Sequence, residues 1–98
     1  MPYVVLMTDK PDSAKLRADT RAVHVEYLDA NKHMLLAAGA LIEDDGTGGN
    51  ASMYIVDTDD RAEAERFYRD DPFHKVGLFS DVKVSRWRKA FFNKARLI

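Results

Sequence analysis

Three histidines, sixteen carboxylates and no cysteine define the chemistry open to this 98-residue chain. Without cysteine there is no disulfide, thiolate metal site or thiol nucleophile. Two residues stand out. His24 falls inside a stretch free of glycine and proline, with Thr20 and Leu28 four residues to either side and Tyr27 three residues on. On a helix this places the imidazole beside an apolar stripe, partly buried and pointing toward the sheet edge. Histidine titrates near neutrality, so such a ring suits a general base or acid. Asp71 precedes Pro72 and Phe73, and aspartate at an N-cap with proline in the first helical position is a common helix start. Its second carboxylate oxygen remains free to hold an imidazole, fixing the tautomer and stabilising the cation as orienting carboxylates do in hydrolytic triads. The structural alternatives are a hydrogen-bonded histidine at the core boundary and a carboxylate that only caps.

The remaining candidates are weaker. His33 sits where the first helix should end, which suits the helix dipole, and His74 is expected on an exposed short helix. Neither has a partner at metal-ligand spacing, so no metal site is expected. The Gly46-Thr47-Gly48-Gly49 run lacks the Lys-Ser/Thr of a phosphate loop and precedes a strand, which makes it a flexible hairpin tip. No cofactor is therefore expected. After Asp81 there are no acids, while Lys83, Arg86, Arg88, Lys89, Lys94 and Arg96 alternate with Trp87, Phe91 and Phe92. Basic and aromatic residues together can bind nucleic acid, but the net charge of −1 argues against a polyanion partner.

Positioning these side chains requires a scaffold. Residues 1–98 read as one domain with a C-terminal tail at 91–98. Tyr3 to Met7 form a strand ended by a Thr-Asp-Lys-Pro-Asp turn signal. Asp12 or Ser13 caps a helix over about 14–33, with Leu16, Thr20, Val23, Tyr27, Ala30 and Met34 along one face. Met34 to Ile42 and Ala51 to Val56 form a hairpin around the acidic, glycine-rich loop 43–50. Asp60 and Glu63 resemble a capping box that opens a helix with Ala64, Phe67 and Tyr68 on its apolar face. A short turn of helix follows Pro72, and Asp81 to Trp87 make the last strand. The order βαββαβ predicts a ferredoxin-like α+β subunit with a four-stranded antiparallel sheet. No apolar run approaches the roughly 20 residues of a membrane span, and the start is too short for a signal peptide, so the expected location is the cytoplasm.

The strands want burial on both faces. Val4 and Leu6 oppose Tyr3, Val5 and Met7 in the first, and Met53 and Ile55 oppose Tyr54 and Val56 in the third. Two helices cover one face, and a second copy is the economical cover for the other. A homodimer with stacked sheets is expected, with Val5 and Tyr54 assigned to the interface parity and assembly into larger rings left open.

With these residues laid out, the chain resembles the YciI-like (YCII-related) family of small bacterial proteins. The resemblance rests on Tyr3-Val4-Val5-Leu6, Arg21-Ala22-Val23-His24 with Tyr27-Leu28, Leu36-Ala37-Ala38-Gly39-Ala40-Leu41, and Asp71-Pro72-Phe73 with Gly77-Leu78. It implies a dimeric α+β barrel of ferredoxin-like subunits and an active-site pair at His24 and Asp71. The family often has proline between its Arg and His, where this chain has Ala22-Val23. Its last strand often ends in a proline-aromatic pair, where this chain has Arg86-Trp87.

Two functions fit. One is a cofactor-independent enzyme in which His24 moves a proton and Asp71 orients it, isomerising a small cyclic or aromatic anion or eliminating from it. Arg21, three residues before His24, can bind the anionic group or stand as a solvated surface arginine. The other is a dimeric binding or accessory module whose cleft holds a small-molecule ligand without turnover.

Overall fold

The computed structural model describes all residues, 1–98. In chain order the elements are β1 (Tyr3–Asp9), α1 (Ala14–Ala30), a single 3-10 turn (Lys32–Met34), β2 (Leu35–Leu41), β3 (Ala51–Val56), α2 (Arg61–Arg69), α3 (Pro72–Lys75), β4 (Phe79–Arg86) and the two-residue strands β5 (Phe91–Phe92) and β6 (Ala95–Arg96). The first four strands form one sheet in the order β2-β3-β1-β4, antiparallel at every pairing. This is the ferredoxin-like βαββαβ arrangement predicted from the order of elements. No helix is long and apolar enough to cross a membrane.

The core lies between one face of the sheet and the helices. Tyr3, Val5 and Met7 of β1 and Tyr54 and Val56 of β3 pack with Ala64 and Phe67 of α2, Phe73 of α3, and Leu78 and Phe79. These strand residues alternate along β1 and β3, as residues on one face of a pleated strand must. Val5 and Tyr54 are therefore core residues, fully buried under the helices, and not on the interface parity assigned to them above. The opposite parity carries Val4, Leu6, Met53 and Ile55, paired across β1 and β3 as Val4 with Ile55 and Leu6 with Met53. Because both parities are apolar, hydrophobicity alone does not show which one faces the helices.

Three local readings change. The inward face of α1 is Arg17, Thr20, His24, Tyr27 and Leu28, whereas Leu16 and Val23 are exposed. The apolar stripe mixed the two sides, and the inward side is partly polar because it lines a cleft. The capping box at α2 is only half formed. Asp60 accepts from the Ala62 amide at 2.9 Å, but the Asp60 amide donates to the Thr58 hydroxyl at 3.1 Å instead of to Glu63. His74 is half-buried, edge-on to Tyr68 with ring centroids 5.3 Å apart. The tail is a small hairpin whose turn residues, Asn93 and Lys94, both have positive φ, as a type I′ turn between antiparallel strands requires.

Candidate active site

Three elements bring the site together. His24 comes from the middle of α1, Tyr54 from β3, and Asp71 with Phe73 from the start of α3. Asp71 is the N-cap of α3, accepting from the Phe73 amide through Oδ1 at 2.9 Å. Capping and the imidazole contact are both made, so the two readings of Asp71 are not alternatives. His24 Nδ1 donates to Asp71 Oδ1 at 2.8 Å and lies 3.1 Å from Oδ2. The Tyr54 hydroxyl donates to Oδ2. Three donors thus converge on one carboxylate that is fully buried, and no buried side-chain nitrogen or oxygen lacks a partner.

The electrostatics follow from that geometry. Burial, and then the negative charge of Asp71, push the Tyr54 phenol far above its ordinary value. Tyr54 therefore remains an O–H donor, and a carboxylate can only accept from it. Burial, followed by the charge of Asp70, also pushes Tyr27 up to about 12; its hydroxyl donates to the Phe67 carbonyl at 2.7 Å. With the proton of the neutral imidazole held on Nδ1 by Asp71, the lone pair is on Nε2. Nε2 makes no protein hydrogen bond and is accessible rather than sealed in the core. The ring itself is held by stacking on Phe73, with centroids 3.8 Å apart and planes 11° from parallel.

His24 opens onto a cleft of about 770 Å³. One wall is α1, the floor is Ala40, Ser52 and Tyr54 of β2 and β3, and loop 42–50 closes the far end. The volume is within the range of small-molecule sites. Arg21 lines the cleft from an exposed position on α1 and makes no ion pair with another side chain. His33 and the basic tail do not line this cleft.

Sequence reasoning missed Tyr54, Phe73 and Arg17. A buried tyrosine hydroxyl needs a partner, but on a strand that is apolar on both sides nothing in the sequence identifies it. Arg17 lies seven residues before His24 and so shares its face, a signal that was available. Its Nη1 donates to both carboxylate oxygens of Asp9, at 3.0 and 2.8 Å.

The YCII-related domain model matches residues 1–88. Protein YciI of Escherichia coli O6:H1 is 29% identical to this chain, covering 93% of it and the whole of that protein, and Protein YciI of Shigella flexneri matches to the same extent. Among solved structures, 5-chloro-2-hydroxyhydroquinone dehydrochlorinase (TftG) from Burkholderia phenoliruptrix AC1100, in complex with 2,5-dihydroxybenzoquinone, superimposes with a TM-score of 0.81 at 31% identity, covering 90% of this chain and 94% of that one. The family match takes in every strand of the main sheet, all three helices and both members of the His24–Asp71 pair, and by it this chain belongs to the YCII-related family.

Proposed function

We propose that this protein is an enzyme of cofactor-independent proton transfer, with His24 as the base and acid and Asp71 as its orienting partner. The single observation that carries the reading is the buried Nδ1–carboxylate contact, which leaves Nε2 turned to the cleft. In this reading Nε2 takes a proton from the substrate, and the imidazolium so formed is stabilised by Asp71. The electron pair left behind either shifts within the ring, and the proton returns at another atom, or expels a leaving group that departs with its bonding pair. The first outcome is an isomerisation and the second an elimination, and neither needs an external oxidant.

A small hydroxylated cyclic or aromatic anion is the substrate class supported best. The cleft accommodates one such ring, Arg21 offers a cation at its wall, and the similar TftG is a dehydrochlorinase in complex with a dihydroxybenzoquinone. We assign the protein to the cytoplasm as a homodimer, the second copy covering the Val4, Leu6, Met53 and Ile55 face. Leu6 is 40% exposed there although it belongs to a central strand, a cost that a partner sheet would remove.

The test is turnover of a panel of chlorinated and non-chlorinated hydroxyhydroquinones, followed by absorbance and chloride release. His24→Ala and Asp71→Asn are expected to fold and to lose most of the activity. Saturable binding of panel members with no product from any of them would replace this reading with that of a binding module.

A further inference from the structure

The near-neutral charge of the chain is unevenly distributed. All sixteen acids and nine of the fifteen bases precede residue 82, and the other six bases follow it with no acid among them. Four of those six lie past β4, in and beside the β5–β6 hairpin, and the family match ends at residue 88. The hairpin is a folded unit. Trp87 meets Phe92 edge-on with ring centroids 6.1 Å apart, the Lys89 ammonium lies 5.5 Å from the Phe92 centroid, and the Leu97 amide donates to the Ala90 carbonyl at 2.7 Å. Phe91 pairs with Arg96, and Phe92 with Ala95. Cross-strand partners share a face and successive residues alternate, so Phe91 and Arg96 project on the side away from Trp87. Phe91 is 65% exposed and Leu97 50%. An aromatic ring beside a guanidinium, held out on ordered backbone, has the composition of an interface and not of ordinary surface.

A complementary surface lies at the opposite corner of the sheet. β4 and β2 are its two edges. The hairpin leaves β4 after Arg86, level with Tyr3 at the start of β1. Loop 42–50 leaves β2 after Leu41, which pairs with Ala51, level with Thr8 near the other end of β1. Three strand spacings and five residue rises separate these corners by about 20 Å, so the hairpin does not meet the loop of its own chain. At that loop Leu41 and Ile42 are exposed. Glu43, Asp44 and Asp45 follow them, also exposed, and make no ion pair within the chain. Two apolar side chains beside three acids there answer two apolar side chains beside Lys89, Lys94 and Arg96 on the hairpin.

We infer that the hairpin of one subunit docks on residues 41–45 of a second copy of this chain, with Phe91 and Leu97 against Leu41 and Ile42, and the hairpin bases facing Glu43, Asp44 and Asp45. Charge selects this occupant. A nucleic acid or an anionic membrane is repelled by the acidic body that carries the hairpin, whereas a second copy presents that acidity as the partner. A two-fold interface makes every contact twice, so each subunit gives a hairpin and receives one. Ile42 and Glu43 line the cleft, so the far wall of each cleft is braced by the other subunit. The inference rests on the homodimer reading and adds to it a contact outside the stacked sheets.

The amide signals of Gly46, Gly48 and Gly49 in ¹⁵N-correlated NMR are the probe. In the dimer, Arg96→Glu should shift them. In Leu6→Asp, which the sheet-face reading makes a monomer, adding Arg96→Glu should leave them in place. Arg96→Glu should also weaken dimerisation about tenfold, since a charge is reversed at two exposed contacts, and Asp45→Lys in the same chain should restore most of the loss. The chain has no cysteine, so a mixture of Asp45→Cys and Lys94→Cys proteins should be joined by a short bismaleimide, while neither variant alone is. Glycine signals unmoved by Arg96→Glu in the dimer, signals that still move in the monomer, or no linkage in the mixture would each overturn the docking. A wild-type dimer with unmoved glycines removes this contact and leaves the stacked sheets standing; a wild-type monomer removes both.

Discussion

The Tyr54 hydroxyl donates to Asp71, so the carboxylate that orients the imidazole is itself held by a phenol from the middle of the sheet. Position and hydrogen bonding are coupled. Asp71 cannot rotate away from His24 without abandoning Tyr54 and the Phe73 amide together.

One consequence concerns high pH. Burial and the Asp71 charge raise the Tyr54 phenol above its ordinary value, and Tyr27 is raised to about 12. In the unfolded chain both phenols lose their protons near pH 10, while the folded state retains them. The unfolded state then binds fewer protons, so stability is fully present below about pH 10 and falls as pH rises above it. The slope should approach about 1.4 kcal/mol per pH unit for each tyrosine. Urea unfolding from pH 8 to pH 11 should show the decline, and it should be shallower in Tyr54→Phe.

Asp71→Asn separates capping from catalysis. Asparagine caps as well as aspartate, whereas Asp71→Ala should cost at least the roughly 0.5–2 kcal/mol of a lost cap. In the Asn variant, turnover should fall by about 10²–10⁴ with stability changed far less. Combined with His24→Ala, the two losses should be far from additive, because residues acting as a unit behave in that way.

Nitrogen NMR of the imidazole tests the orientation directly. In the neutral ring Nδ1 should report as protonated and Nε2 as bare, as the contact to Asp71 requires. Asp71→Ala should give a mixture of tautomers. An Nε2-protonated neutral ring in the wild-type protein would contradict the mechanism.

The two faces of the sheet should respond differently to charge. Leu6→Asp should yield a folded monomer of 11.1 kDa by sedimentation, since the charge is solvated once the partner leaves. Val5→Asp buries the same charge under the helices, at a cost of several kcal/mol, and should unfold the chain. A wild-type protein that sediments as a monomer at micromolar concentration would refute the dimer.

Much of this was legible in the residues. The order of elements followed from turn signals and strand composition, and Asp71-Pro72-Phe73 announced a helix start whose carboxylate had a second oxygen to offer. What stayed hidden was orientation. Periodicity finds an apolar face, but the inward face of α1 carries Arg17, Thr20 and His24, and two of these, Arg17 and His24, line the cleft. In the strands, alternation fails when both parities are apolar, which put Val5 and Tyr54 on the wrong side. The partners of Tyr54 and Arg17 depend on contacts distant in the chain, 17 residues to Asp71 and 35 to Ser52, that no local pattern encodes.

The four-residue helix α3 supplies both the carboxylate that aligns the imidazole and the ring on which it rests. A segment this short opens as one cooperative unit, so fraying of α3 would remove alignment and support in a single event. On the proton-transfer reading, a molecule with α3 open would be inactive although its main sheet remained paired. The Phe73 amide, bonded to Asp71 Oδ1, reports on that opening: its rate of hydrogen exchange, set against that of the sheet amides, shows how often the His24–Asp71 contact is lost while the sheet stays folded.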